Sequence, residues 1–364
     1  MLPVSIGSYV WEDANGDGIQ DASEAPILGA DVALFVDDGT GAFVPATDVD
    51  GAVVADVTTA ADGLYEFENL PAGDYRVQVT PPVGYVDSPV QNDVDNADTT
   101  PADEADSNIA DEPVAGTFES ATFTLSVGGE PQETDGEAGD AQDGAAGTDE
   151  DLSGNNTVDF GFVVPNSIGS YVFEDANGDG QQDATESPIE GAVVELFVDD
   201  GAGNLSPASD IDGTVLGSVT TLADGFYEFE NLAPGDYVVR VTPAAEFVPS
   251  PVQNTADDSV EGDSNIAAET VPGSYDSPVI NLASGDEIEE TDTQAGDNQD
   301  GGAGSLDDLS GDQTVDFGFV VPNSIGSYVW EDSNRDGVQD ATEDGVTGAV
   351  VTLLVDDGTG QFVP

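Results

Sequence analysis

The sequence predicts an all-β protein built of tandem β-sandwich repeats, and three observations support this prediction. Apolar and polar residues alternate with period two, as in Val32, Leu34 and Val36, which is typical of half-buried strands. Turn formers are abundant, with 44 Gly and 21 Pro among 364 residues, and no helical periodicity is evident. Blocks of sequence also return at intervals of 162 and 157 residues.

Seven short strands are predicted in each repeat. In the first repeat they cover 6–11, 32–36, 53–58, 65–68, 75–79, 120–127 and 157–163. Tyr65 and Phe67 are expected on the core face, whereas Glu66 and Glu68 alternate with them and face solvent. Short antiparallel strands joined by turns predict a β-sandwich. The acidic stretches 93–113 and 130–156 are predicted to be long loops that bound ions would order.

The repeated blocks divide the chain into two full repeats and the beginning of a third. Ile6–Val10 returns at Ile168–Val172 and at Ile325–Val329. A period this long gives each full repeat its own core. The third copy holds only the first part of a repeat. We expect that the chain is cut from a longer array, or else that strands of a neighbouring molecule complete the copy. The predicted domains are 1–163, 164–321 and 322–364.

The charge balance excludes several classes of function. The chain has 76 Asp and Glu against 3 Arg, with no Lys, His or Cys, for a net charge of -73. Nucleophilic catalysis by Cys, His or Lys and disulfide formation are therefore excluded. Nucleic acid is excluded as a partner because binding it requires cations. The Glu66/Glu68 pair could in principle serve a glycosidase, but we expect an outward strand face to leave both pKa values unraised.

No membrane-spanning segment is predicted, because no stretch of 18 apolar residues occurs. Residues 1–10 lack the basic start and apolar run of a signal peptide. We therefore expect that a leader has been removed or that the chain was cut from something longer.

An acidic loop after the first strand carries the clearest chemical signal. Residues 13–24 fit the calcium-loop pattern D-x-D/N-x-D/N-G-x5-E, and the pattern returns at 175–186 and 332–343. A solvated hairpin turn could explain one match, but three complete matches favour Ca²⁺ as the bound ion. Each copy is expected to provide five side chains and one backbone carbonyl, at position seven. These ligands are Asp13, Asn15, Asp17, Ile19, Asp21 and Glu24; Asp175, Asn177, Asp179, Gln181, Asp183 and Glu186; and Asp332, Asn334, Asp336, Val338, Asp340 and Glu343.

Four weaker acidic groups are candidates for further ion sites, with simple solvation as an equal alternative. They are Asp37, Asp38 and Asp62; Asp199, Asp200 and Asp224; Asp106, Asn108, Asp140 and Asp143; and Asp263, Asn265, Asp297 and Asp300.

Three segments resemble a known family. Ile6–Glu24, Ala61–Pro81 and Thr157–Phe162 are similar to the B repeats of serine–aspartate-repeat surface proteins, within the wider class of collagen-adhesin B-type domains. The resemblance implies an extracellular, calcium-stabilised, immunoglobulin-like sandwich that serves as a stalk or spacer. Some members of the wider class are locked by a Lys–Asn isopeptide bond. This chain has no Lys, so calcium would have to supply the rigidity.

The predicted function is therefore structural, without catalysis. The chain is expected to be a calcium-stabilised stalk, spacer or filament unit of a bacterial-type surface protein. Its expected partners are the neighbouring repeats and copies of itself in a fibre, with no nucleic acid and no membrane insertion. Two alternatives remain open: a ligand-binding adhesin module, and an acidic halophile-type surface protein without specific calcium dependence.

Overall fold

The structure, a computed structural model, describes residues 3–89, 106–130, 153–251, 262–283, 310–356 and 358–364. Every named element in these residues is a strand, so the predicted all-β class is confirmed. Among the same residues there is no helix of the length and apolarity that crossing a membrane requires. The chain separates into two compact units, Met1–Val321 and Pro322–Pro364.

The first unit contains two separate apolar cores. One is formed by residues of the first repeat, including Phe160 and Phe162, and the other by residues of the second, including Phe317 and Phe319. The second unit begins at Pro322, and the start of the third domain at 322 remains a prediction. The division between 1–163 and 164–321 remains a prediction, which the separate cores favour.

The first repeat has twelve strands in its described part, where the sequence predicted seven. They are β1 (Val4–Glu12), β2 (Asp31–Asp37), β3 (Phe43–Pro45), β4 (Val57–Thr58), β5 (Leu64–Leu70), β6 (Gly73–Thr80), β7 (Val86–Asp87), β8 (Ile109–Val114), β9 (Thr117–Ser120), β10 (Phe123–Leu125), β11 (Gly154–Asn155) and β12 (Phe160–Val163).

These strands form two sheets that enclose the first core. In the five-stranded sheet, β1 pairs antiparallel with β5 and parallel with β11 and β12, and β7 adds to β12. In the seven-stranded sheet, β2 pairs antiparallel with β6; β3 and β4 add to β2, while β9 and β10 add to β6, and β8 adds to β9. The consecutive strands β5 and β6 therefore belong to different sheets.

The second repeat follows the same plan with thirteen strands among its described residues. They are β13 (Asn166–Glu174), β14 (Ser187–Pro188), β15 (Val193–Asp199), β16 (Leu205–Pro207), β17 (Val219–Thr220), β18 (Phe226–Leu232), β19 (Gly235–Thr242), β20 (Val248–Pro249), β21 (Ala268–Val271), β22 (Ser274–Asp276), β23 (Ile280–Leu282), β24 (Gly311–Asp312) and β25 (Phe317–Val320). As in the first repeat, the first and last long strands, β13 and β25, pair in parallel.

The alternation predicted for the central strands is confirmed. Tyr75, Val77 and Val79 of β6 are buried, and Arg76 between them extends its guanidinium over the Phe43 ring, 4.2 Å from the centroid. In the second repeat, Arg240 takes the equivalent outward face of β19 and lies over Phe197 at 4.5 Å. Both cations therefore cover an aromatic ring at the sheet surface.

Two strand predictions and one loop prediction need correction. The predicted strand 53–58 reduces to β4, because the preceding residues turn back in an isolated bridge between Thr47 and Val53. The predicted strand 120–127 splits into β9 and β10, since Ser120 Oγ accepts the Val77 N–H that a ladder carbonyl would otherwise take. The acidic stretch 93–113 ends inside the strand β8 (Ile109–Val114); the side chains of β8 after Ile109 are exposed, so it shows no alternation.

The other acidic stretch, 130–156, contains the short strand β11 at its end, so it is not wholly a loop. Residues 90–105 and 131–152 lie outside the described part of the chain, and the loop prediction is untested there.

The second unit has one short hairpin, β26 (Val355–Asp356) paired antiparallel with β27 (Phe362–Val363). The remainder of its described part has no strand, including 325–329, which correspond in sequence to residues of β1.

Candidate metal centre

The first acidic loop begins at a fixed carboxylate. Asp13 directly follows β1, is fully buried, and accepts hydrogen bonds from the backbone N–H of Asp17 (3.1 Å) and of Gly18 (2.8 Å). The Ser88 hydroxyl also donates to its Oδ2 (2.5 Å). Burial is the main reason that the pKa of Asp13 is raised, although these hydrogen bonds lower it. Asp13 thus anchors the loop to the sandwich.

The middle of the loop brings two further carboxylates to one amide. Asn15 Nδ2 lies 3.2 Å from Asp17 Oδ2 and 3.2 Å from Asp21 Oδ2, while Asn15 Oδ1 accepts the Asp17 N–H at 2.9 Å. Asp17 Oδ1 in turn accepts the Ile19 N–H at 2.9 Å. The amide therefore supplies the donors that hold two like charges together, which is the role a cation would have.

Glu24 closes the loop. Its Oε2 accepts the Asp21 N–H at 2.9 Å, and its Oε1 is shielded from solvent with no donor at hydrogen-bonding geometry. Burial above all, together with the Asp13 charge, raises the pKa of Glu24 to about 7, although nearby backbone N–H groups oppose the shift. A shielded carboxylate oxygen without a donor fits a cation ligand.

Two glycines give the loop its left-handed turns. Gly16 has φ 70° and Gly18 has φ 75°, values that residues with a Cβ adopt only at a cost. The third copy has Arg335 in place of the first of these glycines, and its φ of 65° preserves the turn. The backbone path is thus kept even where the residue type disfavours it.

The other two loops have the same hydrogen bonds. Asn177 Nδ2 lies 3.0 Å from both Asp179 Oδ2 and Asp183 Oδ2, and Asn334 Nδ2 makes the same contacts at 3.0 and 2.9 Å. Further equivalents of the first-loop contacts are the Gly180 N–H to Asp175, the Gly337 N–H to Asp332, the Asp183 N–H to Glu186 and the Asp340 N–H to Glu343.

One difference separates the first loop from the others. Glu186 Oε1 and Glu343 Oε1 each accept a backbone N–H, from Ala176 (2.7 Å) and Ser333 (2.9 Å). The third loop keeps its contacts although the strands that pack beside the other two loops are not present in its unit. The loop conformation is therefore determined by its own residues.

The described residues include no group of three or more acidic side chains already converged as a metal cluster. The structure brings Asn15, Asp17 and Asp21 together, and it places Asp13 and Glu24 at the two ends of the same loop. Ile19, whose carbonyl is the sixth predicted ligand, pairs with Asp106 in an isolated bridge. The assignment of all eighteen predicted ligands remains a prediction.

A buried polar network behind the loop was not anticipated from the sequence. Asp159 in the last strand region accepts hydrogen bonds from the Ser8 hydroxyl and from the Tyr9 N–H (3.0 Å). Its own N–H donates to Asn108 Oδ1 (2.6 Å), and Asn108 Nδ2 donates to Asp106 Oδ1 (2.9 Å). An Asp inside the apolar run TVDFGF was the available signal, since a buried carboxylate needs donors.

This network is joined to the loop by the backbone. The Ser107 N–H donates to the Gly18 carbonyl at 3.0 Å, and the second repeat repeats this bond from Ser264 to Gly180 at 3.0 Å. Asp316 there accepts the Ser170 hydroxyl at 2.7 Å, as Asp159 accepts Ser8. The residues Asp106 and Asn108, predicted as ligands of a second ion, therefore make hydrogen bonds within the fold.

The remaining weak candidates show no convergence in the part of the chain that the structure describes. Asp37 accepts N–H groups of its own turn, from Gly39 (2.7 Å) and Gly41 (3.0 Å), as Asp199 does in the second repeat. Asp62 and Asp224 lie just before β5 and β18, where they accept the N–H of Leu64 (3.4 Å) and of Phe226 (3.5 Å). Asp140, Asp143, Asp297 and Asp300 lie outside the described residues.

The expectation for the strand pair Glu66 and Glu68 was wrong in one respect. Burial, and secondarily the charge of Glu68, raises the pKa of Glu66, so the outward face of β5 is not fully solvated.

Comparison with known proteins identifies the family. A family model described as the SdrD B-like domain matches residues 4–128, 166–296 and 323–363. The chain belongs to this family. The SdrD B-like chain is 31% identical over 352 residues to serine-aspartate repeat-containing protein D of Staphylococcus aureus (strain Newman), covering 96% of the chain and 19% of the relative. It is also 31% identical over 357 residues to protein F of Staphylococcus epidermidis, covering 97% of the chain and 15% of the relative.

Solved structures give weaker similarity. A Streptococcal ancillary pilin matches 81% of the SdrD B-like chain and 61% of its own length, at 13% identity and a TM-score of 0.25. The shaft pilin spaA of Lactobacillus rhamnosus GG matches 89% of this chain and 100% of its own, at 13% identity and a TM-score of 0.23. The family assignment rests on the sequence relationship.

Proposed function

We propose that the chain is a calcium-stabilised structural segment of a bacterial cell-surface protein, acting as a stalk, spacer or filament unit. The observation that carries the proposal is the acidic loop that occurs three times with one hydrogen-bond scheme. Membership in the SdrD B-like family supports a structural repeat rather than an enzyme. We also propose that the chain lies outside the cell and that it has no catalytic activity.

The loop residues would hold the ion, and each copy offers the same set. In the first copy they are the side chains of Asp13, Asn15, Asp17, Asp21 and Glu24, with the carbonyl of Ile19. Bound Ca²⁺ would place two positive charges among four carboxylates and give Glu24 Oε1 a partner. Oxygen donors and an Asn at position three fit this ion better than a softer metal.

Calcium would also influence how consecutive repeats are connected. The first loop lies against the second repeat: a Cβ added to Gly16 would come 3.3 Å from Pro234 Cδ. Nearby, burial above all raises the pKa of Asp87 in the first repeat, and the charges of Glu112 and of Asp212 in the second repeat add to the shift. A neutralised, ordered loop at this junction would limit relative movement of the repeats. The partners of each repeat are then its neighbours in the chain. We also propose that copies of the chain associate with one another in a fibre.

The test is thermal unfolding of the whole chain at fixed ionic strength, first with Ca²⁺ and then with excess chelator. The expected result is a large fall in Tm on chelation, restored by Ca²⁺ and not by Na⁺. The double variant Asp17→Ala, Glu24→Ala should lose the response of the first repeat. A charge-matched control, Asp56→Ala with Glu68→Ala, changes two exposed carboxylates outside the loops and should keep it.

An unchanged Tm on chelation would contradict the calcium role. It would favour the alternative in which 76 acidic residues serve solubility at high salt. For the connection between repeats, small-angle scattering should show a more variable overall extension after chelation; an extension that does not respond would refute that part.

A further inference from the structure

In the acidic loops of both full repeats, an asparagine is followed by glycine. Asn15-Gly16 and Asn177-Gly178 are the Asn-Gly pairs of the sequence, and both asparagine side chains are exposed. The third loop has an exposed asparagine in the same place, but Arg335 follows it. The third loop therefore keeps the asparagine and changes the residue that comes after it.

An Asn-Gly pair is open to a ring closure that other pairs resist. The backbone nitrogen of the following residue can attack the side-chain carbonyl carbon of the asparagine, and glycine has no Cβ to obstruct the approach. Asparagine is one of the thermally labile residues of proteins. Among the described residues of the full repeats, the other exposed asparagines are each followed by leucine; they are Asn69, Asn204 and Asn281. They provide an internal comparison for the two Asn-Gly pairs.

We propose that Asn15 and Asn177 are sites of spontaneous deamidation. The Gly16 nitrogen forms a bond to Asn15 Cγ, the bond from Cγ to Nδ2 breaks, and Nδ2 leaves as ammonia with the proton of the Gly16 N–H. Solvent water then opens the succinimide ring. Opening at Cγ gives aspartate, and opening at the backbone carbonyl carbon gives isoaspartate. Water is the only co-reactant, and Asn177 reacts with the Gly178 nitrogen in the same way.

Hydrogen bonds within the loop oppose the ring closure in the folded chain. The Gly16 N–H donates to the Asp13 carbonyl at 3.2 Å, and Asn15 Oδ1 accepts the Asp17 N–H at 2.9 Å. Both bonds must open before the Gly16 nitrogen can reach Cγ. Because Asn15 and Asp17 are exposed, a local opening of the loop suffices and the apolar core stays intact.

The reaction removes a donor that the loop shares between two carboxylates. Asn15 Nδ2 lies 3.2 Å from both Asp17 Oδ2 and Asp21 Oδ2, and Asn177 Nδ2 makes the equivalent two contacts at 3.0 Å. In either product a carboxylate replaces the amide, so a third negative charge lies beside the other two. Deamidation should therefore loosen the ion-free loop. This inference does not rest on the proposed structural role, since it concerns the loop without an ion.

The test incubates the full chain at mildly alkaline pH with excess chelator, so that no cation holds the loop. Tryptic cleavage after Arg76 gives one peptide, 1–76, that contains both Asn15 and Asn69, and fragmentation in the mass spectrometer assigns the deamidated residue. Isoaspartate is measured by labelling with an isoaspartyl methyltransferase.

We expect Asn15 and Asn177 to react at least tenfold faster than the asparagines followed by leucine, and to give isoaspartate together with aspartate. Rates no higher than that of Asn69 would overturn the proposal. A product that contains aspartate without isoaspartate would also overturn it, because direct hydrolysis of the side chain does not pass through the ring.

Exchanging the following residue between loops tests the role of glycine. Gly178→Arg should slow the reaction of Asn177 at least tenfold, but a Cβ at this position comes 3.3 Å from Pro251 Cγ and strains the loop. The decisive variant is the reverse change, Arg335→Gly, because the φ of 65° at Arg335 suits glycine. It should raise the rate at Asn334 at least tenfold and leave Asn15 unchanged; an unaltered rate at Asn334 would refute the mechanism.

A second measurement tests the effect on the loop. Asn15→Asp with Asn177→Asp should lower Tm in chelator, because the shared donors are lost. The control, Asn69→Asp with Asn231→Asp, adds the same charge at a pair of residues with φ 61° outside the acidic loops and should leave Tm nearly unchanged. Equal Tm values for the two double variants would overturn the inferred loss of loop stability.

Discussion

Replacing Tyr65 by Phe should destabilise the first repeat through one hydroxyl group. Tyr65 is buried, and its hydroxyl donates to the Val158 carbonyl at 2.5 Å, beside the polar network that holds Asp159. Removing the hydroxyl leaves that carbonyl without its donor, while the ring keeps its contacts with Phe67 and Phe160 at centroid distances of 6.1 and 6.2 Å. An unsatisfied buried carbonyl costs about 1–3 kcal/mol.

The size of the effect follows from the size of the domain. For domains of 150–250 residues, each kcal/mol shifts Tm by about 2–4 °C, so Tyr65→Phe should lower Tm by about 2–12 °C. The assay is thermal unfolding monitored by circular dichroism, together with urea unfolding to obtain the free energy. Tyr227→Phe repeats the test in the second repeat, where the hydroxyl donates to Val315 at 2.5 Å.

The control is Tyr9→Phe, which removes a hydroxyl from a tyrosine that is only 5% exposed and whose hydroxyl makes no hydrogen bond to the part of the chain that the structure describes. It should change the free energy of unfolding by less than about 0.5 kcal/mol. If Tyr65→Phe lowered the free energy of unfolding no more than Tyr9→Phe, the reasoning that the hydrogen bond from Tyr65 to Val158 stabilises the repeat would be refuted.

Three other predictions concern the sheet surface, the loop and pH. Arg240→Ala should cost about 2–4 kcal/mol in urea unfolding, because it leaves the buried Asp276 carboxylate without its guanidinium partner at 2.6 Å. Arg76→Ala removes a similar aromatic contact, with Phe43, but a more exposed ion pair, with Glu119 at 3.4 Å, and should cost about 1 kcal/mol; equal costs would contradict this. Gly16→Ala should lower stability by about 1–2 kcal/mol in the same assay, since φ is 70° and the new Cβ meets Pro234 at 3.3 Å. Gly39 has φ 86° with open space around it, so Gly39→Ala should show the backbone cost alone. Burial raises the pKa of Glu66 and of Glu228. Just above the ordinary pKa of glutamate, the folded state therefore holds more protons than the unfolded state, and stability should fall as pH rises through that range. Glu66→Gln with Glu228→Gln should flatten the slope of Tm against pH.

The sequence was most informative where a pattern depends on neighbouring residues. The alternation of Tyr75, Val77 and Val79 predicted a strand with one buried face, since period two needs no knowledge of distant contacts. The loop pattern was likewise local: the three copies fold alike, even in the unit where the rest of the repeat is not formed.

Features set by distant contacts could not be predicted in this way. β8 has exposed side chains along almost its full length, so only its pairing with β9 makes it a strand. The role of Asp159 depends on Ser8, which lies 151 residues away in sequence. The interruption between β9 and β10 arises from the Ser120 side chain, whose partner Val77 belongs to another strand.

The parallel pairing of β1 with β12 has a mechanical consequence. These are the first and last strands of the repeat, and Val10 lies opposite Phe160. When the chain is stretched, β1 is pulled through its amino end and β12 through its carboxyl end. Because the strands run in the same direction, tension slides one along the other and strains their hydrogen bonds together rather than one after another. The second repeat has the same arrangement in β13 and β25, so tension loads the hydrogen bonds between the first and last strands in shear in both repeats.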